Sequence, residues 1–190
     1  LLDAADHQTR LSQRIRRVVE RLAVVGTADR KLHRTGGQLE QLAVELEVQA
    51  RLSNGVLLKG RCDRIDRRDG HVTILDLKTG SVRSDDLTLP AIARDALSAK
   101  RRYALQLLIY LWAYLRQEPG IQAARAGVIP LQRAAQDGAE LLLVDGNALI
   151  GRDLLPQIDT TLSELVNELL DPAVPFAHDP NRTYCACCIG

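Results

Sequence analysis

The chain has 190 residues, of which 46% are hydrophobic and 26% charged. That length and balance predict one globular domain with a real core and exclude a disordered chain. A net charge of +1 excludes the broad basic excess of a protein that coats nucleic acid, yet leaves room for a local basic groove.

Leu11, Ile15, Val18, Val19 and Leu22 recur at helical spacing, with Arg14, Arg16, Arg17 and Arg21 on the other faces. This predicts an amphipathic helix whose arginines either meet solvent or follow a phosphate backbone. Gly26 and Gly36-Gly37 interrupt the pattern. Gln38 to Val44 either adds a short helix or leads directly into a strand. From Glu45 to Leu52 the pattern alternates, with Leu46, Val48, Ala50 and Leu52 on one face and Glu45, Glu47, Gln49 and Arg51 on the other. Ser53-Asn54-Gly55 is a hairpin turn signal. Val56 to Ile65 and Val72 to Lys78 are the next two strands, joined at Arg68-Asp69-Gly70, and short turns between three strands predict an antiparallel meander.

Ser81 to Lys100 reads as a polar, irregular segment with a short helix after Pro90. Arg101 to Arg116 is helical, with Leu105, Leu108, Ile109, Trp112 and Leu115 as its apolar stripe, and Glu118-Pro119-Gly120 stops it. Ala126 to Leu131 and Glu140 to Val144 predict two more strands. Leu149 to Leu170 predicts a final helix, broken or started near Pro156. Asp171 to Gly190 is an irregular tail rich in Pro and Cys. The fold class that follows is α/β, a mixed central sheet with a three-strand meander flanked by helices.

Strand alternation puts Asp76 and Lys78 on one face, with Leu77 on the other. Asp63 precedes Asp76 by 13 residues, a distance that a tight hairpin folds into side-by-side contact. Charged groups inside a strand as apolar as Val72 to Leu77 are costly unless something pairs them. A divalent metal bound by two aspartates would do so, leaving the lysine to face a negatively charged substrate or nucleophile. A salt bridge between neighbouring strands is the bland alternative.

Gly60-x-x-Asp63-Arg64-Ile65-Asp66, then Asp76-x-Lys78-Thr79-Gly80, then Gln106-Leu107-x-x-Tyr110 resembles the PD-(D/E)XK nuclease superfamily in motif order and spacing. The likeness is to its RecB-type branch, the nuclease domain of bacterial helicase–nucleases such as AddA, AddB and RecB. It implies a restriction-endonuclease-like core. It also implies a metal-dependent DNA nuclease, the exonuclease of a helicase–nuclease in recombination and repair. The alternative is a catalytically inactive nuclease-fold domain for DNA binding or helicase docking. By this resemblance Asp63, Asp76 and the Leu77 carbonyl would hold Mg²⁺, with Mn²⁺ as a substitute. Lys78 would act on the attacking water, and Gln106 would sit near that water or the DNA backbone with Tyr110 beside it. Glu45 matches a glutamate that the family often carries on its first strand. Arg64 would meet Asp66 or phosphate. A helix before the meander often gives the family a further His or Glu ligand, and His7 and His33 are the candidates here, neither in a clear motif match.

Residues 1–190 then read as one nuclease-like domain: a helical lead-in over 1–44, a core over 45–170 and a Cys-containing tail over 171–190. The absence of Met and the start at Leu1-Leu2-Asp3 suggest a C-terminal fragment of a longer protein. The implied partners are DNA and a helicase domain or subunit. No signal peptide and no apolar run of membrane-spanning length are seen, which predicts a cytoplasmic protein without membrane contact. The four Cys do not form a disulfide framework. Some AddB-like relatives clamp an iron–sulfur cluster, and Cys185 and Cys188 match two of its ligands, although the upstream ligand has no match. Zinc on three Cys plus His178 is the alternative. Cys62 reads as a small buried hydrophobe, and His71 and Glu47 as exposed.

Overall fold

A computed structural model describes residues 39–131 and 138–175. The helix expected over 11–22, His7, His33, His178 and the cysteines of the tail lie outside the described residues. Strand β1 (Leu39–Arg51) turns through Ser53-Asn54-Gly55 into β2 (Leu57–Arg68), and β3 (His71–Lys78) follows directly. Gly55 takes a φ of 88°, and Val56 N–H donates to Asn54 Oδ1 at 3.1 Å. Asp69 and Gly70 make a two-residue turn with φ values of 49° and 79°. Left-handed backbone at both central positions is what the right-handed twist of a tight hairpin demands, and Asp-Gly supplies it.

All three strands pair antiparallel, as the meander predicts. The first strand starts at Leu39, not Glu45, so Leu39 to Val44 is strand and not helix, while Gln38 lies outside the described residues. His71 is half-buried and opens β3 opposite Arg68, a correction to an exposed turn residue. Helix α1 (Arg102–Gln117) then crosses back to β5 (Ala123–Pro130), which lies parallel to β3. A parallel pair needs such a crossover. The full sheet has six strands in the order β1-β2-β3-β5-β6, with β8 also on β5. Strands β6 (Glu140–Leu141), β7 (Leu143–Val144) and β8 (Ile150–Gly151) are two residues each, so the expected strand over 140–144 is split. The fold is mixed α/β, as expected.

The segment from Ser81 to Lys100 is more ordered than its polarity suggests. It holds three single turns of 3₁₀-helix and the short strand β4 (Thr88–Leu89), which pairs parallel with β7. Its scattered apolar residues explain this, because Val82, Leu87, Leu89, Ile92 and Leu97 all enter the core. Helix α1 buries a face displaced from the predicted stripe, of which Leu105 and Ile109 are only half-buried. Leu107, Leu108, Leu111, Trp112 and Leu115 are all fully covered, since the sheet lies on one side and the last helix, α2 (Leu155–Leu170), touches another. Pro156 sits in the first turn of α2, where its missing N–H is harmless. The preceding residues Arg152–Leu154 form a separate 3₁₀ turn. Among the described residues, no helix is long and apolar enough to cross a membrane.

The β1–β2 ladder is irregular at two places: its register shifts between Gln41 and Ala43, and its side-chain alternation slips further along. Cys62 and Ile65 are both buried in the core that includes α1, and Ala43 and Leu46 pack against that same core. Residues three apart on a regular strand face opposite sides. The alternation therefore slips by one residue on both strands, at Glu45 and Asp63, which lie between the pairs Val44–Arg64 and Leu46–Cys62. Glu45 has a φ of 49°, a backbone conformation rare outside glycine.

A candidate metal-dependent active site

The β2–β3 ladder ends at the pair Arg64–Leu75, and the next step would set Asp63 against Asp76. There the backbone bonding gives way to a side chain. Leu77 N–H donates to Asp63 Oδ2 at 2.7 Å. A strand residue turns its N–H and C=O toward the same neighbour, so the Leu77 carbonyl also faces the β2 side. The Lys78 carbonyl turns the other way and accepts from Leu131 N–H at 2.8 Å. The backbone ladder thus ends with Asp63 and Asp76 at its open end and the Leu77 main chain between them and Lys78.

Asp76 is only 4% exposed. Gln106 Nε2 donates to its Oδ1 at 2.9 Å, and Lys78 Nζ lies 2.8 Å from its Oδ2. The Lys78 ammonium is the partner of this buried Oδ2. Burial pushes the Asp76 carboxyl above its ordinary range, against the lowering effect of Lys78, and the Asp63 charge adds to the rise. Lys78 donates in turn to Gln106 Oε1 at 2.9 Å. One amide therefore braces both members of the Asp-x-Lys pair. Gln106 Nε2 also donates to the Tyr110 hydroxyl at 2.8 Å.

Gly60 explains why Tyr110 can reach this place. A Cβ on Gly60 would lie 2.9 Å from Tyr110 Cδ1 and closer still to Cε1. The ring rests on the bare backbone of β2. Tyr103, one turn before Gln106, also belongs to the site: Lys78 Nζ stands 5.2 Å from its ring centre. The sequence reading passed over it, although Tyr103, Gln106 and Tyr110 follow helical spacing on one face.

The structure thus brings together Asp63, Asp76, Lys78, Gln106 and Tyr110, with Leu77 supplying main chain. Glu45 lies across β1–β2 from Asp63, between the pairs Val44–Arg64 and Leu46–Cys62. The Glu45 side chain is 75% exposed and pairs with Arg61 at 3.6 Å. Arg64 belongs to a structural cluster, with its Nε 2.6 Å from Asp66 Oδ1, while Arg68 Nη2 holds Asp66 Oδ2 at 2.8 Å. Asp66 is fully buried. Glu47 is exposed. Cys62 is fully buried, and its thiol is pushed up to about 12 by burial and by the charges of Asp63 and Asp76.

Two carboxylates and a carbonyl are hard oxygen donors of the kind Mg²⁺ takes while keeping several waters. The buried Asp76 carboxylate, with Asp63 at the same end of the ladder, is a donor set that fits such an ion. Among the described residues, no group of three or more His, Cys, Asp or Glu side chains gathers as a metal cluster, so the rest of any coordination falls to main chain, water and substrate.

An α/β domain that carries paired aspartates and a lysine at the fork of a sheet hairpin has the build of a phosphodiester-cleaving enzyme. The sequence matches the PD-(D/E)XK nuclease superfamily over residues 2–189, and the chain belongs to that superfamily. Its nucleases generally use divalent metals such as Mg²⁺. A search of curated proteins found no match.

Proposed function

We propose that this chain is a Mg²⁺-dependent deoxyribonuclease, the exonuclease domain of a helicase–nuclease used in recombination and DNA repair. The observation that carries the catalytic part is the fork itself. Asp63 and Asp76 come abreast where the ladder stops, and Gln106 fixes Lys78 beside them. The exonuclease, helicase and repair assignments rest on the likeness of the three motifs to the RecB-type branch. The same likeness supports an iron–sulfur cluster in the full-length protein, with Cys185 and Cys188 among its ligands.

Mg²⁺ held by Asp63, Asp76 and the Leu77 carbonyl would supply Lewis acidity toward the phosphate and lower the pKa of a bound water. The chain's own groups complete the chemistry. Lys78 directs an ammonium group, 22% exposed, to the mouth of the fork, where it meets an attacking water or a phosphate oxygen. Gln106 keeps that ammonium and the Asp76 carboxylate in fixed relation, so neither reorganises as charge develops. Tyr110, seated on Gly60, holds Gln106 in turn.

The test is hydrolysis of end-labelled single- and double-stranded DNA with Mg²⁺ or Mn²⁺. Asp76→Ala and Lys78→Ala are each expected to lose on the order of a hundredfold or more in rate. Metal-dependent release of nucleotides from an end supports the exonuclease. Mn²⁺ binding by calorimetry without any cleavage would turn the reading to a non-catalytic domain that binds DNA or docks a helicase.

A further inference from the structure

We propose that Tyr103 is a positioning residue for Lys78, holding the lysine over its ring when Asp76 is otherwise engaged; this rests on the nuclease reading above. Among the described residues, Lys78 meets Asp76 Oδ2 at 2.8 Å, Gln106 Oε1 at 2.9 Å and the Tyr103 ring centre at 5.2 Å. The first of these is not available throughout a reaction that draws on the Asp76 carboxylate. Any cation that Asp76 accepts both takes its charge and repels the ammonium. The anchors then left to Lys78 are the Gln106 carbonyl and the Tyr103 ring. A ring face attracts an ammonium through its quadrupole, more strongly where water is scarce, and Lys78 is largely covered.

The ring is itself held in place. Tyr103 is half-buried near the start of α1 and packs against the core. The Arg102 guanidinium lies 4.6 Å from its centre, and Arg102 Nη2 donates to its hydroxyl at 3.1 Å. Tyr103 and Gln106 are three apart on α1, so their contacts approach Lys78 from one rigid element. A neutral ring and a neutral amide hold the lysine without adding a negative charge that would compete with substrate.

The proposal separates ring from hydroxyl. Tyr103→Phe keeps the face that Lys78 meets and loses only the bond to Arg102; Tyr103→Leu removes the face. The chain has four lysines, Lys31, Lys59, Lys78 and Lys100, so the ε-methylene signals can be assigned by single Lys→Arg changes in metal-free protein. The Lys78 signal should carry an upfield ring-current shift in the wild type and in Tyr103→Phe, and lose it in Tyr103→Leu. With saturating DNA and Mg²⁺, Tyr103→Leu should lower kcat about tenfold with little change in KM, and Tyr103→Phe should restore it to within about twofold of the wild type. A Lys78 signal that does not move in Tyr103→Leu overturns the proposal. So does a loss confined to KM, or an equal loss in both variants. Should the wild type cleave no DNA, the nuclease reading falls by itself, and the Lys78 signal alone decides whether Tyr103 positions the lysine.

Discussion

Replacing Gly60 by alanine would place a methyl group where the Tyr110 ring already lies. Gly60 sits inside the β1–β2 ladder opposite Val48, so its backbone cannot retreat without opening the sheet. The ring must move instead. Absent any clash, a Gly→Ala change stabilises by about 0.4–1 kcal/mol through the unfolded chain. Here the added carbon would sit 2.9 Å from Tyr110 Cδ1, with Cε1 nearer. Such overpacking costs about 1–3 kcal/mol, and displacing the ring also breaks the Tyr110–Gln106 hydrogen bond, worth about 1 kcal/mol net. The sign is therefore reversed: Gly60→Ala should destabilise by about 1–3 kcal/mol overall. Urea unfolding at constant m measures it. Tyr110→Ala removes the obstacle, so the double variant should be no less stable than Tyr110→Ala alone, a coupling of about 1 kcal/mol or more. Additivity within about 0.5 kcal/mol would refute the reasoning.

Four further outcomes follow from the same contacts. Gln106→Leu frees both Asp76 and Lys78 from their shared amide and should lower the cleavage rate by about ten- to a hundredfold while Mn²⁺ still binds, as calorimetry can read. The folded-state pKa of Asp76 is raised, so its ionised form weighs against the fold: metal-free stability should fall as pH rises from about 4, and Asp76→Asn should flatten that dependence in thermal melts at a series of pH values. The Cys62 thiol, at about 12 when folded against 9.0 unfolded, deprotonates first in the unfolded chain; its contribution is whole below pH 9.0 and falls by about 1.4 kcal/mol per unit above it, a slope that Cys62→Ala should lack. Asp66→Ala deprives Arg64 and Arg68 of a fully buried carboxylate and should cost about 3–5 kcal/mol in denaturant unfolding.

The meander was legible because its turns carry their own signals. Asn54-Gly55 and Asp69-Gly70 place left-handed backbone where two antiparallel strands need it. The alternation from Glu45 to Leu52 also survives in the burial of Val48 and Leu52. Asp63, Asp76, Lys78, Gln106 and Tyr110 were singled out by the spacing of three short motifs, and the fold joins them through side-chain contacts. Glu45 matched only one position; it lies across from Asp63 with its side chain paired to exposed Arg61. The slip at Glu45 and Asp63 left no local mark, because a Glu with positive φ is imposed by the sheet around it and not by its own preference. Tyr103 was missed for a related reason: its partner Lys78 lies 25 residues earlier, on another element. The order within Ser81 to Lys100 was missed because five apolar residues without a period carry no helix or strand signature.

The bond from Leu77 N–H to Asp63 Oδ2 makes the sheet a gauge of its own site. In an ordinary ladder that amide would meet a backbone carbonyl, and nothing bound nearby would change it. Here its protection depends on a carboxylate at the open end of the ladder. Whatever draws on Asp63 must share its oxygens with the amide or loosen the bond. By linkage, any coupling is reciprocal: a hairpin strained open at Leu77 would hold its ligand with a different affinity. Exchange of this one amide proton, near the end of β3, can thus report occupancy without a label on the substrate.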